Sequence, residues 1–244
     1  MRNLLIVFRR EFSAYFSTPL AYIFIVIFLA LSGAMTFYFG SFFERGQADL
    51  APFFAYHPWL YLLLIPAVAM RLWADERKTG TIELLMTLPL STIEVVLGKY
   101  LAAWAFIGVA LVLTFPIWLT VNYLGSPDNG VILSSYIGSF LMAGAYLAIG
   151  ACVSALTRNQ VIAFILAAVV CFLLLASGLE IVTSFFIGWA PAFVIDTVAA
   201  VSFLTHFQAI MRGVIDLRDL VFFASLIAIA LFINVAVVEL KKAQ

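Results

Sequence analysis

Few side chains in this sequence have the type and spacing for covalent chemistry. Ser177, within Ala176-Ser177-Gly178, together with His206 could form the serine–histidine dyad of an intramembrane protease. Leu175 rather than a glycine precedes Ala176, and no residues that would build an oxyanion hole stand beside the pair. Ser177 therefore reads as a helix-packing hydroxyl and His206 as an interfacial polar group. Gly98-Lys99 has the look of the end of a phosphate-binding loop, but residue 93 is Ile and residue 100 is Tyr. The backbone cradle and the magnesium-binding hydroxyl are both missing, so the chain does not bind ATP through that motif. His57 precedes Pro58 without a ligand partner in the sequence, and Cys152 and Cys171 lie inside apolar runs as small packing residues. No catalytic, cofactor-binding or metal-ligating residues are expected in this chain.

What the sequence does carry is apolar surface. Of its 244 residues 65% are hydrophobic and 11% are charged, with a mean hydropathy of +1.14. Soluble domains hold about 45–50% apolar and about 25% charged residues. Twenty-four Phe and five Trp in 26.9 kDa exceed what a protein interior of that size can hide. These values exclude a cytosolic enzyme and a secreted disulfide scaffold, and a net charge of zero gives no field for nucleic acid. An all-α integral membrane protein remains.

Charged residues divide the chain into uncharged runs at 12–43, 50–70, 100–127, 129–157, 159–179 and 220–238, with shorter ones at 181–195 and 197–211. A span needs about 20 helical residues, which only the first six supply. Six transmembrane helices are expected near 20–43, 58–75, 93–123, 132–156, 160–182 and 217–239. The first run is too long for a cleavable signal peptide. With the N-terminus inside, one side collects Arg2, Arg9, Arg10, Arg71, Arg77, Lys78, Lys99, Arg158, Lys241 and Lys242, and the other only Arg45, Arg212 and Arg218. The positive-inside rule then puts both termini in the cytoplasm. Span interiors are almost free of charge, with Glu180, Asn122 and Asn234 near span ends, which leaves a proton-coupled carrier unsupported. A stand-alone carrier and the Ser177/His206 protease are the alternative readings.

Local signals refine these elements. In residues 1–17, Leu4, Leu5, Phe8, Phe12, Tyr15 and Phe16 oppose Arg2, Arg9 and Ser13, which describes an amphipathic interfacial helix ended by Pro19. Ser91 and Glu94 have capping-box spacing, as do Thr157 and Gln160, and Asp216 can cap the last helix after a stop at Gly213. Gly144, Ala148, Ala151 and Ala155 share one face of the fourth span, where close packing within the chain is preferred to a dimer seam. The stretch from Asp75 to Ser91 lies on the cytoplasmic side. Gly80 breaks the incoming helix, Thr81 can cap a new one, Glu83 favours its first turn, and Pro89 ends it. Its apolar residues, Leu84 and Leu85 among them, need cover from the membrane surface or from a partner.

Glu76-Arg77-Lys78-Thr79-Gly80-Thr81-Ile82-Glu83-Leu84-Leu85, followed by Pro89, Ser91, Glu94 and Gly98-Lys99, resembles the loop between the second and third helices of ABC-2 type permeases. The six-span layout and the amphipathic start resemble that family too, across essentially all of residues 1–244. The stretch Ser202–His206 through Arg212–Asp219 is similar to the subgroup named for the gliding-motility-associated permease.

The resemblance implies a single transmembrane domain of the bacterial inner membrane, non-catalytic itself and working as an exporter or as a transmitter of mechanical work. It implies a separate ABC ATP-binding subunit that holds ATP and magnesium, and a second permease copy or a related permease. Residues 79–90 would form the coupling helix, with Glu76, Arg77, Thr79, Gly80, Thr81, Glu83, Leu84, Leu85 and Pro89 meeting the ATPase. Arg2, Arg9 and Arg10 would meet lipid or that subunit. Residues 183–216 would form re-entrant helices, with His206, Arg212, Asp216 and Arg218 at an extracytoplasmic gate or partner contact.

Overall fold

Proline, glycine and capping residues cut the apolar runs into helices at chemically legible places. The computed structural model describes residues 2–80, 90–186 and 191–242, and among these every regular element is helical. The helix α1 (Arg2–Phe16) leads to α2 (Pro19–Ala34), which starts on its proline and continues as a π-helical turn over Met35–Phe39. That wider turn follows two hydroxyls that bond back along the helix, Ser32 to the Phe28 carbonyl and Thr36 to the Ser32 carbonyl at 2.6 Å. Next come α3 (Ala51–Ala55), α4 (His57–Ala69) and α5 (Arg71–Thr79). Then follow α6 (Thr92–Val112), α7 (Phe115–Leu124), α8 (Asn129–Leu156) and α9 (Gln160–Ala176). Three short helices, α10 (Glu180–Phe186), α11 (Ala192–Ala200) and α12 (Phe203–Ile210), precede α13 (Leu217–Lys242).

Four stretches are long and apolar enough to cross a membrane: Pro19–Phe39, Thr92–Leu124, Asn129–Leu156 and Leu217–Lys241. The sequence pointed to six. The expected span at 58–75 is divided at Met70 into α4 and α5, four residues after Pro66, which cannot donate to the helix ladder. The expected span at 160–182 gives a 17-residue α9 that stops before Ser177-Gly178. Pro116 similarly breaks the third stretch between α6 and α7, where the Thr114 hydroxyl bonds to the Leu111 carbonyl at 2.6 Å and contacts the Tyr136 hydroxyl at 2.9 Å.

The capping signals hold with one displacement. Ser91 and Glu94 make both bonds of the capping box, at 3.2 and 3.3 Å. In the turn between α8 and α9 the cap is Asn159, not Thr157: the Asn159 side chain accepts from the Val161 and Ile162 N–H groups. Thr157 instead accepts from the Asn159 N–H at 3.1 Å, because the chain needs three residues to reverse before the new helix begins. Asp128 caps α8 through Gly130 and Val131. Gly80 and Gly213 stop their helices with φ of +73° and +89°.

The centre of the protein is α8, whose small residues are covered by the same chain. Ala148, Ala151 and Ala155 are fully buried. A methyl group at Gly144 would meet the Trp104 ring at 2.8 Å, one at Gly138 would meet Ile210 at 2.7 Å, and one at Gly150 would strike the Ala69 side chain on α4. Intrachain packing therefore accounts for this face. Gly150→Val should cost about 1–3 kcal/mol by forcing α4 and α8 apart, read as a lower melting temperature of the purified protein in detergent.

Candidate functional site

The N-terminal helix supplies the first wall of the site. Val7, Glu11 and Tyr15 recur at four-residue spacing and so lie on one stripe of α1. A methyl group at Gly98 would meet the Val7 side chain at 2.7 Å, and Tyr15 stacks on Phe106 at 4.8 Å between centroids. This places α1 along the first half of α6, with Glu11 opposite Lys99. Leu5, expected on the apolar face, is exposed, and Val7 is the residue that anchors the helix. The surroundings of Tyr15 push its hydroxyl above its ordinary range, chiefly through burial and next through the charge of Glu11.

The second wall is α5. Lys99 Nζ lies 2.6 Å from a Glu76 carboxylate oxygen, 3.4 Å from a Glu11 carboxylate oxygen and 5.4 Å from the centroid of the Trp73 ring. The Lys99 side chain is 4% exposed and the two glutamates 17% each. One ammonium thus joins α1, α5 and α6, with carboxylates neutralising it and an aromatic face beneath. Asn3 adds a 3.4 Å bond to Glu94, which ties the start of α1 to the cap of α6. These contacts surround both chain ends that border residues 81–89.

The α4–α5 junction is spliced from a third helix. The Ser154 hydroxyl accepts from the Trp73 and Ala74 N–H groups at 3.2 and 3.1 Å and donates to the Met70 carbonyl at 2.8 Å. Two of the orphan donors at the start of α5 and one acceptor at the end of α4 are thereby satisfied by one buried side chain.

The predicted site residues fall into three groups. Glu76 enters the cluster. Thr79 donates from its hydroxyl to the Asp75 carbonyl at 2.9 Å and marks, with Gly80, the end of α5. Arg77 is near enough to Arg158 to feel its charge, and burial followed by that like charge lowers its hold on its proton. Thr81, Glu83, Leu84, Leu85 and Pro89 lie outside the described residues. Arg9 and Arg10 are exposed, with Arg10 paired to Glu11 at 3.0 Å, and Arg2 begins α1.

At the opposite end, His206 is 4% exposed and its Nδ1 lies 2.6 Å from a carboxylate oxygen of Asp219. Its Nε2 lies 2.9 Å from the Ala200 carbonyl, and Phe222 stacks on the ring at 3.9 Å. Arg212, Asp216 and Arg218 are exposed. Ser177 donates to the Leu174 carbonyl at 2.9 Å, so neither member of the candidate protease dyad is bonded to the other.

Lys99, Glu11, Ser154 and Asp219 were not picked out from sequence as site residues. Lys99 offered the clearest signal, a cation eight residues into a helix whose other charge is Glu94 at its cap, which calls for a partner. Nothing in the spacing of Glu11 or Ser154 names a contact some 80 positions away.

A family model described as ABC-2 family transporter protein matches residues 5–242. A comparison with curated proteins finds no match.

Proposed function

Because the chain belongs to the ABC-2 family of transporter proteins and is a transmembrane subunit of an ABC transporter, we propose that it turns ATP hydrolysis on a separate cassette subunit into outward movement of a substrate, or into mechanical work, across the bacterial cytoplasmic membrane. ATP and magnesium belong to that subunit. The Lys99–Glu76–Glu11 cluster is the observation that carries this reading. It joins α1, α5 and α6 at the place where residues 81–89 leave and return, so a force applied there reaches three helices together.

In this reading residues 79–90 are the coupling helix, and Glu83, Leu84 and Leu85 meet the cassette. Arg9 and Arg10 face it or the lipid beside it. The chain crosses six times, with α4–α5 as the second crossing and α9 as the fifth, and the excess of Lys and Arg supports cytoplasmic termini. Two such chains, or this chain and a related permease, form the transmembrane pair. The segment from α10 to α12 is re-entrant, and its exposed Arg212, Asp216 and Arg218 serve a gate or an extracytoplasmic subunit. The stretch 202–219 supports placement in the gliding-motility-associated subgroup.

Affinity purification of the tagged chain from its native membrane should recover an ATPase with Walker motifs. Leu84→Asp should lower that recovery at least about tenfold, as loss of a central apolar anchor does, while membrane insertion is kept. Recovery of the chain alone in several mild detergents would reject the reading.

A further inference from the structure

Three cations come together at the α1 end of the bundle, where the neighbouring acids Asp75 and Glu76 pair with Arg71 and Lys99. Ser154 sets the register: its bonds to Met70, Trp73 and Ala74 lay α5 along the end of α8. Arg77 follows one turn after Trp73 on α5, and Arg158 lies two residues beyond the end of α8, near enough to Arg77 to feel its charge. The last helix arrives at the same place. Lys241 Nζ donates to the Leu156 carbonyl at 2.5 Å and lies 3.5 Å from the Ala155 carbonyl, at the close of α8. Lys241 is near enough to Arg77 and Arg158 to feel both positive charges.

Arg77 Nε is buried and has no hydrogen-bond partner among the described residues. Asp75 is paired with Arg71 at 3.1 Å, Glu76 with Lys99, and Glu239 is exposed on α13. Among the described residues, this buried guanidinium donor close to two further cations has no anion on it.

We propose that Arg77, Arg158 and Lys241 bind the phosphate of an anionic phospholipid headgroup, seated between the ends of α5, α8 and α13. The placement of the site at the ends of apolar helices favours lipid over an acidic protein segment. Arg158 lies in a three-residue turn, 157–159, between the apolar helices α8 and α9, and Lys241 ends an apolar helix of membrane-spanning length. Both are held at headgroup level, where a phosphate offers several oxygens to a guanidinium and an ammonium. The proposal does not depend on which leaflet this end faces.

The test is native mass spectrometry of the purified chain equilibrated with micelles containing equal amounts of phosphatidylglycerol and phosphatidylcholine. Phosphatidylglycerol should be retained in excess. Arg158→Gln and Lys241→Gln should each lower that excess about fivefold, the effect of one cation at an anionic surface, with phosphatidylcholine retention unchanged. Arg45→Gln, at a pair with Asp49 in the segment between α2 and α3, should leave the excess intact. Circular dichroism checks that the variants fold. Equal retention by Arg158→Gln, Lys241→Gln and the parent would overturn the proposal. So would displacement by millimolar inorganic phosphate, which would assign the site to the free ion. Unchanged lipid with reduced recovery of the ATP-binding subunit would assign it to an acidic segment of that protein.

Discussion

Lys99→Met should cost about 3–5 kcal/mol, because removing one member of a buried ion cluster takes the ammonium away from two largely buried carboxylates. Glu76 and Glu11 would face a thioether where an ammonium now stands, and the Trp73 ring would lose its cation. Lys99→Arg should recover part of the loss, since it keeps the charge but needs more room than a side chain 4% exposed leaves. Two measurements separate folding from transmission. The first is the melting temperature of the purified chain. The second is ATP hydrolysis by the assembled complex: Lys99→Met complexes that still assemble should lose the dependence of hydrolysis on the transmembrane subunit. A Lys99→Met variant that melts with the parent and keeps that dependence would remove the cluster from the mechanism.

Asp219→Leu should have an effect of the same size at the other end, about 3–5 kcal/mol, for the same physical reason. The carboxylate is 4% exposed and bonded to His206, whose second nitrogen meets the Ala200 carbonyl. Both ring nitrogens face acceptors, Asp219 through one carboxylate oxygen, while its other oxygen is buried without a hydrogen-bond partner among the described residues. Deleting the carboxylate leaves the ring to Phe222, Phe223 and the Ala200 carbonyl, and loosens the hold of α13 on α11 and α12. Hydrogen–deuterium exchange read by mass spectrometry should rise across residues 192–210 and stay constant across α1 and α6. Asp219→Asn, which keeps one bond to the ring, should fall between the parent and Asp219→Leu. Exchange that is unchanged in 192–210 would show that the pair does not hold these helices.

The helical class and most helix ends were legible because they follow from local rules. Gly80 and Gly213 stop helices as left-handed residues, and Ser91 with Glu94 starts one as a capping box. The interruptions were harder to read. Hydropathy counts Pro66 and Pro116 as part of an uncharged run, although each removes a donor that the helix needs. The cluster itself was half visible. Glu76 was picked out as a partner contact, and Lys99 was weighed as part of a phosphate loop, counted among the inside cations and quoted in the family motif, but given no partner. Their meeting depends on how α5 packs against α6, which the spacing within either helix does not contain. The same holds for Ser154, which reads as one more small residue on α8 and is found supplying the cap of a helix some 80 positions earlier.

That serine makes α5 a lever with a fixed fulcrum. Met70 breaks the ladder between α4 and α5, and a bare break would be a free swivel that absorbs any displacement delivered at Gly80. With three bonds from one hydroxyl pinning the joint to α8, and Lys99 gripping the arm one turn further along, the swivel is locked. Torque entering through α5 would pass into α8 and the body of the molecule instead of being spent on bending the joint.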